Sequence, residues 1–175
     1  MKIIYLGHSS FLIEAKTSEG TVKIITDPYD KSVGFNFKKQ EANIVSVSHI
    51  GHGDHENLEG IKGLTQDDLT DETFYPKEER ESKTFVVTSP GSYEIKGVHI
   101  HGTSTFHDES SGEERGANTV YTYTVNDITV CHLGDLGHKL TPNQIEEIGD
   151  VDLLIMPVGG TFTIDCETAT EVVSQ

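Results

Sequence analysis

The sequence predicts an α/β (α+β) fold built from many short strands and few helices. Three observations lead there. Short apolar, β-branched runs alternate with punctuation rich in Gly, of which there are 17 in 175 residues. Only three segments carry helix signals. Five strand ends each present a His or Asp beside Gly or Pro, the arrangement of a site assembled at the rim of a sheet.

The elements follow in order. Residues 2–6 and 11–15 form a hairpin around Gly7-His8-Ser9-Ser10. Thr21–Thr26 is a β-branched run closed by Asp27-Pro28-Tyr29, and Pro, which lacks an N–H, ends a strand well. Ile44–Ser48 stops at His49. Thr84–Thr88, Tyr93–Ile100, Thr119–Val125 and Ile128–Leu133 read the same way, with Asn126-Asp127 as a two-residue hairpin turn. Leu153–Val158 is nearly unbroken and apolar, the pattern of a strand buried on both faces. A helix is expected over His55–Gly63, with Leu58, Ile61 and Leu64 inward. Thr141-Pro142-Asn143-Gln144 starts another: Thr caps, Pro takes the first helical position and Gln bonds back. It ends near Gly149. A last helix begins between Thr163 and Asp165 and runs through Ala169, Val172 and Val173.

Two stretches read as surface. Residues 65–82 hold seven acids and two bases, a solvated excursion, and residues 108–116 form an exposed loop. The last helix lacks a Gly stop, a basic final turn and a following strand. Leu153–Val158 plus that helix is half of a βαβ unit. Residues 1–175 are therefore expected to form a single domain, with its C-terminal strand missing.

Charge and composition exclude several classes. The net charge of −16 opposes binding to nucleic-acid phosphates. No apolar run approaches the roughly 20 residues that span a membrane. The short apolar start runs directly into Gly7 and His8, which is not the pattern of a secretory signal. Two Cys, at 131 and 166, are not a disulfide framework. A cytoplasmic protein is expected. There are nine His, and their positions carry the argument.

The densest cluster is Ser48-His49-Ile50-Gly51-His52-Gly53-Asp54-His55-Glu56-Asn57. His49, His52, Asp54 and His55 fall within seven residues, after a strand and before a predicted helix. Imidazole nitrogen and carboxylate oxygen without thiolate is a ligand set for zinc, iron, manganese or nickel. Gly51 and Gly53 let the backbone bend so that neighbouring side chains converge. One segment cannot enclose a metal, so the other strand ends must contribute. Asp27, His107, Asp135 and His8 are the candidates. His99, His101 and His132 read as packing or surface histidines.

These segments, in this order, resemble the metallo-β-lactamase superfamily, and within it the small metal-dependent hydrolases grouped with the ascorbate-phosphate lactonases. Gly7-His8-Ser9-Ser10-Phe11-Leu12-Ile13-Glu14 resembles the opening hairpin, and Thr26-Asp27-Pro28 the first motif. His49 to His55 resembles the signature His-x-His-x-Asp-His. Phe106-His107 with Gly116-Ala117-Asn118-Thr119 resembles the segment of the third-motif His, and His132-Leu133-Gly134-Asp135 that of the bridging Asp. Met156-Pro157-Val158-Gly159-Gly160 resembles a strand end near the site.

The resemblance implies an αββα sandwich and one or two divalent metal ions, zinc foremost, with manganese, iron or nickel as alternatives. It implies His49, His52 and His107 as ligands of a first ion. Asp54, which is also the catalytic carboxylate, and His55 would hold a second, together with a last His. Asp135 would bridge the two, and Asp27 would orient ligands from behind. A metal-bound hydroxide would attack a small-molecule ester, lactone or phosphodiester. This chain departs from the pattern twice. The signature reads His-x-x-His-x-Asp-His, with one residue extra, which a bulge at Gly51 would absorb. The last His falls outside residues 1–175, and His8 is the candidate replacement. A second reading is a metal-binding protein of the same fold without turnover. A third, a nuclease, is opposed by the charge and by the lack of a basic patch with interleaved aromatics.

Overall fold

A computed structural model describes residues 1–69 and 84–175. The greater part of the acidic stretch expected at 65–82 lies outside the described residues. Only its start is seen, as a 3-10 turn over Gln66–Leu69. The chain folds as two compact units, one of Met1–Val47 with Gly51–Thr88 and one of Ser48–Ile50 with Ser89–Gln175.

The first unit is a five-stranded sheet in the order β1-β2-β3-β4-β5. Its strands are β1 Lys2–Gly7, β2 Ser10–Thr17, β3 Gly20–Thr26, β4 Ile44–Ser46 and β5 Phe85–Val87. The first two pairings are antiparallel, and β3·β4 and β4·β5 are parallel. The register Ile24↔Ile44, Ile25↔Val45, Thr26↔Ser46 ends where Asp27 begins, and the Asp27 N–H donates to Ser46 O at 2.9 Å. Leu12, Ile25, Val45, Val47, Leu58 and Ile61 form its core.

Leu58 and Ile61 are inward, as expected, but the helix expected over His55–Gly63 is only a 3-10 turn, Leu58–Gly60. The hydrogen bonds explain the difference. Asn57 does not cap. It donates its backbone N–H to Pro28 O and its Nδ2 to Tyr29 O, both at 2.8 Å. Three residues on, Gly60 O accepts the Gln40 N–H, and the Lys62 N–H donates to Gln40 O, in a parallel bridge. The backbone groups that a helix needs are committed elsewhere.

The second unit is a five-stranded sheet in the order β10-β9-β8-β7-β6, antiparallel except for β10·β9. Its strands are β6 Gly91–Ile95, β7 Val98–Phe106, β8 Ala117–Val125, β9 Ile128–His132 and β10 Leu153–Ile155. Two helices follow expected starts, α1 Pro142–Ile148 and α2 Cys166–Ser174. The strand expected over Tyr93–Ile100 is instead two, because Lys96 and Gly97 both take positive φ (52° and 72°) and turn the chain. Asn126 and Asp127 make the expected turn between β8 and β9 (φ 50° and 61°). Leu153–Val158 is shorter and less buried than expected. Among the described residues β10 pairs only with β9; Leu153 is 41% exposed and Val158 61%. The core gathers Val120, Cys131, Leu133, Leu136, Leu140, Ile164, Ala169 and Val172. Burial pushes the Cys131 thiol up to about 12.

The loop expected to be exposed at 108–116 is organised from within. Asp108 is buried, and its carboxylate accepts four backbone N–H groups, from Ser110, Gly112, Glu114 and Arg115. Burial pushes this carboxyl up, but those four donors outweigh it and hold it at about 2. Among the described residues no helix is long and apolar enough to cross a membrane.

Both helix caps yield tests. At α1, Thr141 and Gln144 cap each other reciprocally. Thr141→Ala is expected to cost about 1 kcal/mol in urea unfolding, with an unchanged m-value. At α2, the backbone N–H of Thr168, donated to Asp165, holds that carboxyl below the usual carboxylate range. A depressed pKa means that the cap is fully present above the unfolded value and is lost as pH falls through the folded one. The Thr168 amide shift should therefore titrate with a midpoint below that of Asp in an unfolded peptide.

Candidate metal centre

In the first unit, three strand ends converge. Asp27 follows β3 with a positive φ of 38°, and its side chain is fully buried. That conformation is uncommon for a non-Gly residue and marks a constrained position. Asp27 Oδ2 accepts from Ser9 Oγ at 3.1 Å and faces His55 Nδ1 at 3.1 Å. His55 is itself fully buried. The carboxylate therefore favours the tautomer with the proton on Nδ1 and leaves Nε2 as the donor atom. Asp54 Oδ2 lies 3.9 Å from that Nε2 and 3.8 Å from His8 Nε2. The ligand atoms of His8, Asp54 and His55 all lie within 4.8 Å of one another.

Ligands around one zinc, each at about 2.1 Å, stand about 3.4 Å apart in a tetrahedron. The two separations to Asp54 are thus a few tenths of an ångström wider than that, at 3.8 and 3.9 Å, and the donor chemistry fits a divalent cation. The turn that presents them is tied down: Asp30 N–H donates to Gly53 O at 2.9 Å and His55 N–H to His52 O at 3.1 Å. A Cβ on Gly53 would collide with the Asp30 carboxylate. Gly51 lies in this turn with a φ of 101°, a conformation that glycine adopts readily. His52 is exposed at this turn.

In the second unit, His49, His107 and Asp135 come together. All three are buried. His49 Nδ1 is 2.8 Å from Ala117 O, which places its proton there and leaves Nε2 as the donor. The His49 and His107 rings stand edge to face with centroids 4.9 Å apart. His107 Nε2 is 3.6 Å from Asp135 Oδ2. Two imidazoles and a carboxylate again make a divalent-cation donor set.

The sequence alone assigns Asn118 no role. Its Oδ1 accepts the Asp135 N–H at 2.9 Å, and its Nδ2 donates to Thr105 Oγ1 and Leu133 O. An amide inside a β-branched strand is a propensity outlier, and that was the available signal. Gly134 and Gly137 are close-approach positions: a Cβ on Gly134 would strike Ser48 and Asn118, and one on Gly137 the His107 backbone. His138 Nε2 accepts the Phe106 N–H at 3.1 Å, next to His107. His99 and His101 lie on the surface as expected. His101 stands between Ser92 Oγ at 2.9 Å and Glu147 Oε1 at 3.2 Å. His132 closes β9 and is buried.

Two mixed sheets whose strand ends carry His and Asp clusters define a metal-ligating α/β protein. Residues 2–175 match the model of the Beta-lactamase superfamily domain, so the chain belongs to that superfamily. It is 27% identical over 186 residues to a UPF0173 metal-dependent hydrolase of Pyrococcus horikoshii, covering 99% of this chain and 79% of that one. It is 29% identical over 180 residues to a UPF0173 metal-dependent hydrolase of Carboxydothermus hydrogenoformans, covering 97% and 77%. A crystal structure from Thermotoga maritima, of a protein assigned as a Zn-dependent hydrolase of the metallo-β-lactamase superfamily, superposes with a TM-score of 0.68. Identity there is 36%, covering 98% of this chain and 69% of the other. The expected α/β class and metallo-β-lactamase fold are thereby established.

Asp27 provides the test of this geometry. Asp27→Ala is expected to remove the low-field Nδ1–H resonance of His55 and to weaken zinc binding about 10- to 100-fold, the usual effect of losing a carboxylate behind a ligand histidine. Competition with a chromophoric chelator reads the second effect. A His55 resonance unchanged in the variant would show that the carboxylate does not set the tautomer.

Proposed function

We propose that the chain is a metal-dependent hydrolase of small-molecule esters, lactones or phosphodiesters, holding zinc at His8, Asp54 and His55 and at His49, His107 and Asp135. One observation carries the reading: a fully buried carboxylate, Asp27, engages Nδ1 of a fully buried imidazole whose Nε2 faces a second imidazole and a carboxylate. Burying a charged group is costly unless it is paired and used, so such an arrangement favours a ligand role. The names of the relatives in Pyrococcus and Carboxydothermus support the same class.

Divalent cations at these donors supply Lewis acidity, which yields a nucleophile from water at neutral pH and offsets charge on the attacked group. The chain's own residues do the rest. Asp27 holds the His55 ring and its tautomer. Asp54, part-exposed between the two imidazoles, accepts the proton of the attacking water. Asn118 fixes the backbone that presents Asp135. His52, on the exposed turn, is a further candidate ligand, and metal content unchanged in His52→Ala would remove it. The charge of −16 favours a small substrate over a nucleic acid. The unpaired thiols Cys131 and Cys166 favour the cytoplasm.

Metal analysis by mass spectrometry on chelator-free protein, paired with a panel of 4-nitrophenyl esters, lactones and bis(4-nitrophenyl) phosphate, tests this. The expected content is roughly two equivalents per chain, with roughly one lost in His55→Ala and one in His107→Ala, and turnover abolished in both. Metal without turnover across the panel would make the chain a binding protein of the same fold. Folded protein that takes up no zinc would end the reading.

A further inference from the structure

The loop between β7 and β8 places the backbone of one basic residue, Arg115, next to the residue that borders His49 and His107. The Arg115 N–H donates to buried Asp108 at 2.7 Å, the shortest of the four bonds that carboxylate receives. The next residue, Gly116, accepts the His107 N–H on its carbonyl at 3.0 Å. A Cβ built on Gly116 would lie 3.6 Å from His49 Cε1. Residue 116 thus borders both histidines, and the Arg115 Cα, one residue earlier, is about 3.8 Å away. The guanidinium carbon stands 5.9 Å over the Phe162 ring, close enough for a cation–π contact. Phe162 is 67% exposed, so this pair lies open to solvent. The neighbouring acid, Glu114, reaches Nη1 only at 3.7 Å, in an exposed pair that contributes little and that a ligand anion can displace. Arg115 is the only basic residue of 108–116, in a chain with 13 bases against 29 acids.

We propose that Arg115, in cation–π contact with Phe162, anchors an anionic group of the substrate, a carboxylate or phosphate set apart from the bond that is cleaved. This rests on the hydrolase reading and narrows it to acidic esters and lactones. Arginine suits the task because its planar fork binds either anion through two parallel hydrogen bonds. Phe162, 67% exposed beside it, offers apolar contact to the carbon chain next to the anion.

Two esters with one leaving group test the assignment: neutral 4-nitrophenyl butyrate and the mono-4-nitrophenyl ester of glutarate, which carries a remote carboxylate. The ratio of their kcat/KM values, anionic over neutral, is expected to fall about tenfold or more in Arg115→Gln, mostly through KM. Arg115→Lys should recover only part of it. A ratio unchanged in Arg115→Gln overturns the proposal. A second readout needs no turnover. In the full zinc-loaded chain, the Arg115 Nε–H resonance is followed while glutarate or inorganic phosphate is added. A saturable shift with either anion supports the anchor and distinguishes the two sources. No saturable shift with either overturns it, even where the neutral ester is cleaved. A shift without cleavage of any ester keeps the anchor and removes the hydrolase reading.

Discussion

The contact between Asp27 and His55 is the constraint on which the first unit's cluster depends. Both groups are withdrawn from water, so neither tolerates loss of the other. The sheet sets their meeting point. β3 and β4 run parallel and in register up to Thr26↔Ser46, and the Asp27 N–H then bonds to Ser46 O. That bond fixes the backbone, Ser9 holds the carboxylate from the β1–β2 turn, and the imidazole is left one orientation. Which ring nitrogen of His55 is left unprotonated is therefore chosen by two layers of hydrogen bonding on the far side of the ring.

The second unit reaches a similar outcome by different means. His49 takes its tautomer from a backbone carbonyl, Ala117 O, rather than from a carboxylate. A neutral acceptor raises ligand basicity less than a charged one does. The two clusters thus differ in electronic character although their donor atoms are alike. Asn118 compensates in rigidity: one amide joins β7, β8 and the turn after β9.

Much of this was legible in the chain. The hairpin around His8, the strand closed by Asp27, the capping box at Thr141 and the density of His49 to His55 are local signals. Each depends on neighbours within a few residues. The misreadings share a cause in long-range bonding. The helix expected after His55 fails because Asn57 is spent on Pro28 and Tyr29, far back in the chain. The loop expected to be merely exposed turns on Asp108, whose role needs four later N–H groups to fold back on it. Lys96-Gly97 was a local signal, but an apolar pattern running through it concealed the turn. Gly134 and Gly137 showed only as Gly, because what they leave room for comes from elsewhere in the sequence.

The two cysteines have a practical consequence. Cys131 sits in the core with its thiol pushed up to about 12, so it carries almost no thiolate near neutral pH. Cys166 is exposed at the start of α2. The native chain thus offers a single addressable thiol, and a maleimide spin label or dye would attach at one known point without any engineered residue. Because α2 packs Ala169 and Val172 into the second unit's core, that label would move with the unit that holds His107 and Asp135. It would serve as a ready gauge, by paramagnetic relaxation, of distance to a paramagnetic ion such as Mn²⁺ loaded there in place of zinc.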